Sequence, residues 1–144
     1  MAVWQVKFRV ERVESLTDDW HNWASLGSFE ERLSSILPEA SSWHHDLKRW
    51  GESGGHEIDL WLRDDGGSLT VRIDVRSDYY DFIVAICAVL SEFGLKVATD
   101  AAVFDPDVDA VLGTISKSRA RRFVRDPLQF IRELSRDEGV EESK

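Results

Sequence analysis

Three stretches of the sequence gather side chains able to do chemistry. In His44-His45-Asp46 two imidazoles and a carboxylate, the donor types of a zinc site, stand side by side. Adjacent residues point to opposite faces of a strand and about 100° apart on a helix, so neither geometry turns both imidazoles toward one ion. His21 and His56 are isolated, and no HxH, HxxxH or HxxE spacing occurs. No metal site and no cofactor are therefore expected. A general base such as His45 beside Asp46 or Glu39 has no geometry the sequence fixes, so no catalytic residue is assigned.

The second set lies on two runs that alternate apolar and polar residues, Glu57 to Arg63 and Leu69 to Arg76. Their outer positions hold Asp59, Trp61, Arg63, Thr70, Arg72, Asp74 and Arg76. Indole and guanidinium are the side chains that most often anchor interfaces, so Asp59, Trp61, Arg63, Arg72, Asp74 and Arg76 form the candidate binding site. The plain alternative is the solvated face of an antiparallel sheet. The third set, Lys117 to Arg125, carries five positive charges and no negative one. Such a run can touch phosphate or an acidic partner, but on a helix its charges point in several directions and read more simply as a solvated face.

The elements that position these residues follow from periodicity. Ile58, Leu60 and Leu62 alternate, as do Leu69, Val71, Ile73 and Val75, and Asp64-Asp65-Gly66-Gly67-Ser68 between them has the residues of a tight turn. An even loop length is needed to oppose the apolar positions. A turn at Asp65-Gly66 sets Asp59 against Arg72 and Trp61 against Thr70. A turn at Gly66-Gly67 sets Trp61 against Arg72, Glu57 against Arg76 and Asp59 against Asp74, two carboxylates face to face. The first register is preferred because it offers an ion pair. A helix follows, capped by Ser77 or Asp78 and stopped by Gly94, with Phe82, Ile83, Ile86, Val89, Leu90 and Phe93 on its buried face. Val84, Ala85, Cys87 and Ala88 extend the apolar character, so a second layer should cover it.

Before the hairpin, Trp4, Val6, Phe8 and Val10 mark an opening strand. The capping box from Ser28 to Glu31 starts a helix through Phe29, Leu33, Ile36 and Leu37 that Pro38 ends, and Thr17 to Ala24 can add a short turn. Residues 42–50 fit helix or strand, with a strand from near Leu47 preferred. Four of the six tryptophans, Trp20, Trp23, Trp43 and Trp50, fall in this segment, as filler or as a lid. After Gly94 come strands at Leu95 to Thr99 and Ala102 to Phe104, a helix capped by Asp105 with Pro106 at its first position, and a shorter helix capped by Ser118. Asp126-Pro127 opens another helix with Leu128, Phe130, Ile131 and Leu134. The order predicts an α+β fold, a ferredoxin-like antiparallel sheet with helices on one face and a C-terminal helical extension. Residues 1–136 form one domain and 137–144 a polar tail.

The chain has 144 residues, 42% hydrophobic and 31% charged, with a formal net charge of -9. That acidity argues against nucleic acid and anionic membranes as partners. One cysteine forbids an internal disulfide and suggests a reducing compartment. With no leader-like or membrane-spanning run, a cytoplasmic location is expected.

Trp43, Asp46-Leu47, Trp50-Gly51, Ile58-Asp59-Leu60-Trp61, Val71 to Arg76, and Phe123-Val124 with Asp126-Pro127 and Phe130 together resemble a group of small uncharacterised bacterial proteins. The resemblance spans about two-thirds of the chain. It implies a fold and no activity, and only by association an immunity-like role. The expected function is accordingly a bacterial, non-enzymatic interaction module. It binds a protein partner or a second copy of itself through the hairpin face around Trp61 and Arg72. The alternative is a small ligand-binding protein or enzyme with a tryptophan-rich lid and His45 as acid or base.

Overall fold

Period-two patterning underlies the longer of the seven strands among the described residues. The protein is described from a computed structural model covering residues 2–12, 20, 22–63, 66–126, 128, 131 and 132. The elements are β1 (Gln5–Arg12), α1 (Leu26–Ile36), β2 (Glu39–Ala40), β3 (Leu47–Gly51), β4 (Glu57–Arg63), β5 (Gly66–Asp74), α2 (Tyr80–Glu92), β6 (Leu95–Ala98), β7 (Val103–Phe104), α3 (Val108–Ser116) and α4 (Arg119–Arg125). The strands form one sheet ordered β2-β3-β4-β5-β1-β6-β7, with every neighbouring pair antiparallel. The class is α+β, as expected, with more strands than a simple ferredoxin-like fold holds. The expected strand from Leu47 is β3, and β2 adds a short partner for it that the sequence did not announce.

The alternation puts Val6, Phe8 and Val10 of β1, Ile58 and Leu60 of β4, Leu69, Val71 and Ile73 of β5, and Leu95 and Val97 of β6 into one core. Phe29 and Leu33 of α1, the buried face of α2, and Val111 and Ile115 of α3 complete it. Each such side chain contributes about 1.5–3 kcal/mol relative to exposure. The described helices cover this face, and the second layer expected over α2 is α3.

Helix α1 starts earlier than the capping box predicts. Ser25 holds the cap position without a side-chain hydrogen bond, and Trp23 and Leu26 pack against the core, so packing overrides the preference at Ser28. Trp23 sits edge-on to Trp20 at 5.5 Å and to Phe93 at 5.7 Å, which ties this segment to the end of α2. Helix α2 begins at Tyr80, whose amide donates to Asp78 Oδ1 at 3.1 Å. Helix α3 starts at Val108 with Asp107 in the cap position. Pro106 therefore precedes the helix, and Asp105 pairs instead with Lys96. Ser118 caps α4 as expected, accepting from the Arg121 amide at 3.1 Å.

The hairpin register departs from both predicted alternatives. Asp59 faces Thr70, Trp61 faces Ser68, Leu62 faces Gly67 and Glu57 faces Arg72. The parity that opposes Ile58 to Val71 and Leu60 to Leu69 is kept, but the pairing is shifted by two residues and Gly66-Gly67 lie in β5, not in the turn. A packing reason is visible at Gly67. A Cβ there would stand 2.2 Å from the Trp61 carbonyl oxygen, so the glycine admits the partner strand's backbone, with Trp20 Cδ1 in ordinary contact at 3.4 Å. Residues 64 and 65, the tail 137–144, Phe130, Leu134 and most of the expected turn from Thr17 lie outside the described residues. No helix among the described residues is long and apolar enough to cross a membrane.

Candidate functional site

The face of the sheet opposite the helices holds the candidate residues. Strand pairing arranges them in rows: Glu57, Arg72 and Lys7; then Arg49, Asp59, Thr70 and Arg9; then Leu47, Trp61 and Ser68. Although no helix among the described residues lies on this face, Gln5, Glu57, Asp59 and Asp74 on it are buried. Burying a carboxylate is tolerated only with partners, and each has them. Arg49 Nη2 donates to Glu57 Oε1 at 2.6 Å and Arg49 Nε to Asp59 Oδ1 at 3.0 Å. Gln5 Nε2 donates to Glu57 Oε2 at 2.6 Å. Arg72 closes the set by pairing with Asp59 Oδ2. The Asp59–Arg72 contact expected from the sequence thus forms diagonally across the shifted register, while the Arg72 Nε has no partner among the described residues.

Above this network lies an open groove of about 380 Å³, floored by Arg49, Glu57, Asp59 and Arg72. One end is walled by Gly54 and Gln5, the other by Leu47, Trp43 and Trp61. At the near end Trp4 Nε1 and Gln5 Nε2 each donate at 2.7 Å, to the carbonyls of Gly54 and Gly55. Arg76 grips Asp74 with two nitrogens at 3.0 Å and lies 4.0 Å over the Trp4 ring. Burial alone would raise the Asp74 carboxyl, but hydrogen bonds from the Arg76 side chain and amide, with its charge, hold it below the usual range. Asp74 and Arg76 therefore brace the groove's end and do not line it.

At the far end Trp43 is 72% exposed, edge-on to Trp61 at 5.4 Å. Arg63 covers the Trp61 ring at 4.3 Å. His44 packs on Trp61 at 5.3 Å and stacks on His45 at 4.6 Å. The premise that His44 and His45 must diverge fails here, because they occupy a turn and not a strand or helix; their donor atoms and that of Asp46 lie within 4.8 Å of one another. The hydrogen bonding opposes a shared ion all the same. His44 Nδ1 accepts the Asp46 amide at 3.0 Å, which puts the ring proton on Nε2 and leaves no free lone pair. His45 is 86% exposed on its side chain, beyond the groove walls.

The candidates thus divide. Asp59, Trp61 and Arg72 share the groove, Arg63 backs Trp61, and Asp74 with Arg76 hold the opposite rim. Sequence reading missed Arg49, Glu57, Gln5 and Trp43 as members, and Lys7 beside them opposite Arg72. Arg49 was reachable, since a strand from Leu47 paired to the main hairpin brings it opposite Asp59. The tryptophans part ways: Trp20 and Trp50 are 2% and 1% exposed, Trp23 packs on the core, and Trp43 alone of the four stands out. They are not a lid. The basic run forms α4, with Ala120 buried and Arg119, Arg122 and Arg125 exposed.

A second groove of about 440 Å³ lies between α1 and α2, lined by Ile36, Leu37, Phe82 and Val89 with His56 and Asp81 at its edge. His56 stacks on Phe82 at 4.4 Å and accepts the Asp74 amide on Nδ1 at 3.0 Å. Burial pushes its pKa down against the pull of the Asp74 charge. Ser35 and Asp81 line the same groove. No protein family, curated protein or solved structure was found to match this chain, so the bacterial resemblance rests on the quoted residues alone.

Proposed function

We propose that the chain is a non-enzymatic protein-interaction module whose outer-face groove receives side chains of a partner, with Trp43 and Trp61 as anchors. The observation that carries the reading is Trp43. An indole left 72% exposed yet braced against a second indole is a pre-positioned apolar surface in water, the kind of residue that dominates binding energy when covered. Glu57 and Asp59 on the floor each accept hydrogen bonds from two side chains, which gives a partner a pre-ordered polar surface to dock on. The volume suits one or two inserted side chains.

The finer fold reading belongs to the same proposal. The order β4-β5-β1-β6, with α1 and α2 in the intervening connections, supports a ferredoxin-like unit enlarged at its edges by β2, β3 and β7. Cytoplasmic action is supported by the single, buried Cys87.

The test is capture from host lysate with hydrogen exchange on the recovered complex. Arg72→Glu is unsuitable, because it adds a third carboxylate to the floor and breaks the Asp59 pair. Trp43→Ala removes an exposed ring and spares the core. The expected result is a protein held by wild type, lost to Trp43→Ala, that slows exchange in β4 and β5. A partner retained equally by Trp43→Ala, or one protecting only α3 and α4, would refute the groove as the site.

A further inference from the structure

The groove borders a concentration of positive charge that the fold does not neutralise. Lys7 of β1 stands directly opposite Arg72 of β5, an arrangement that places two cations with Cβ atoms about 4.5–5.5 Å apart and is unfavourable in an isolated sheet. Arg72 has Asp59 as its single carboxylate, although Glu57 lies directly across from it; Glu57 is taken by Arg49 and Gln5. Lys7 is exposed, and no ion pair joins it to any described carboxylate. The nearest acid on its own strand face, Glu11, is four residues on, about 13 Å along the strand. Arg9, the next outward residue, is exposed as well and reaches only the Thr99 carbonyl, at 3.3 Å. A chain of net charge -9 therefore keeps three cations together on the sheet face that no described helix covers.

Resting on the interaction-module reading, we infer that this face recognises an acidic segment of a protein partner, with one carboxylate seated between Lys7 and Arg72 and a neighbouring apolar side chain against Trp43 and Trp61. A carboxylate there relieves the Lys7–Arg72 repulsion and meets the guanidinium donors Asp59 leaves unused. A protein is favoured over a nucleic acid because the cationic spot is three residues wide on an acidic molecule, which repels an extended polyanion beyond it. Charge complementarity of this kind sets partner choice and association rate.

The test uses the full chain, immobilised, and a phage-displayed library of random dodecapeptides, panned in parallel against Lys7→Glu and Trp43→Ala. Lys7→Glu replaces a like-charge pair by an opposite one, so its thermal midpoint should equal or exceed that of wild type, which separates recognition from folding. The expected outcome is enrichment of peptides with Asp or Glu near an aromatic or aliphatic residue. Synthetic versions should bind wild type at least tenfold more tightly than Lys7→Glu, weaken at high salt, and lose the same factor when the acid is changed to its amide. Enriched peptides that lack an acid, or that bind Lys7→Glu equally while still needing Trp43, overturn the acidic partner and leave the groove reading standing. The absence of any peptide dependent on Trp43 overturns both. A labelled single-stranded DNA 20-mer binding more tightly than the best peptide overturns the assignment to protein.

Discussion

Asp59→Ala tests whether the charged floor is a structural unit. Asp59 is 7% exposed and accepts from two arginines, Arg49 and Arg72, whose side chains are each 22% exposed. Removing the carboxylate strands two guanidinium donors beneath the groove. A hydrogen bond to a charged group is worth about 1.5–3 kcal/mol, and breaking a fully buried pair costs about 3–5 kcal/mol. Because both arginines keep some contact with water, the lower part of the range applies, and the expected loss is about 3 kcal/mol. Urea unfolding should show the midpoint falling with the slope unchanged. Asp59→Asn, which keeps an acceptor, should lose less, and adding Arg72→Met to Asp59→Ala should recover part of the loss by removing a stranded cation. A loss below about 1 kcal/mol for Asp59→Ala would refute the reasoning, since it would mean that the pairs behave as ordinary surface contacts.

Gly51 has φ of +96°, and a Cβ there would come within 1.9 Å of the His56 carbonyl oxygen; Gly51→Ala should destabilise by at least about 2 kcal/mol in the same assay. His56 has a lowered pKa in the folded state, so the unfolded chain binds the extra proton first. Stability should therefore fall as pH drops below about 6.5, and His56→Asn, whose amide oxygen can replace Nδ1 as acceptor, should flatten that slope in pH-dependent melts. The depressed Asp74 acts lower, its contribution being complete above about pH 3.9 and lost as pH falls through its folded value. Burial, aided by the Asp107 charge, pushes the Cys87 thiol up to about 11. At pH 8 its thiolate fraction is then roughly 200-fold below that of the unfolded chain, and iodoacetamide should label it at least that much more slowly without urea than with it.

Strand and helix content were legible because period-two and helical spacing are local signals, and Ile58, Leu60, Val71 and Ile73 went to the core as their alternation requires. Register was not, because parity alone permits several even loops, and the close approach of Gly67 to the Trp61 carbonyl is a contact that alternation does not state. The site was half legible for the same reason. Asp59, Trp61 and Arg72 lie on the hairpin that periodicity finds. Arg49, Gln5 and Lys7 reach them only through strands β3 and β1, whose neighbours the sequence does not state. His44 and His45 misled because a turn obeys neither strand nor helix geometry.

The most direct measurement of the central claim is calorimetric titration of the recovered partner, or of the best acidic peptide, into wild type and Trp43→Ala at matched thermal stability. The account predicts a loss of about 2 kcal/mol, roughly 30-fold in affinity. Equal affinities would contradict it and move the binding surface off the outer face of the sheet.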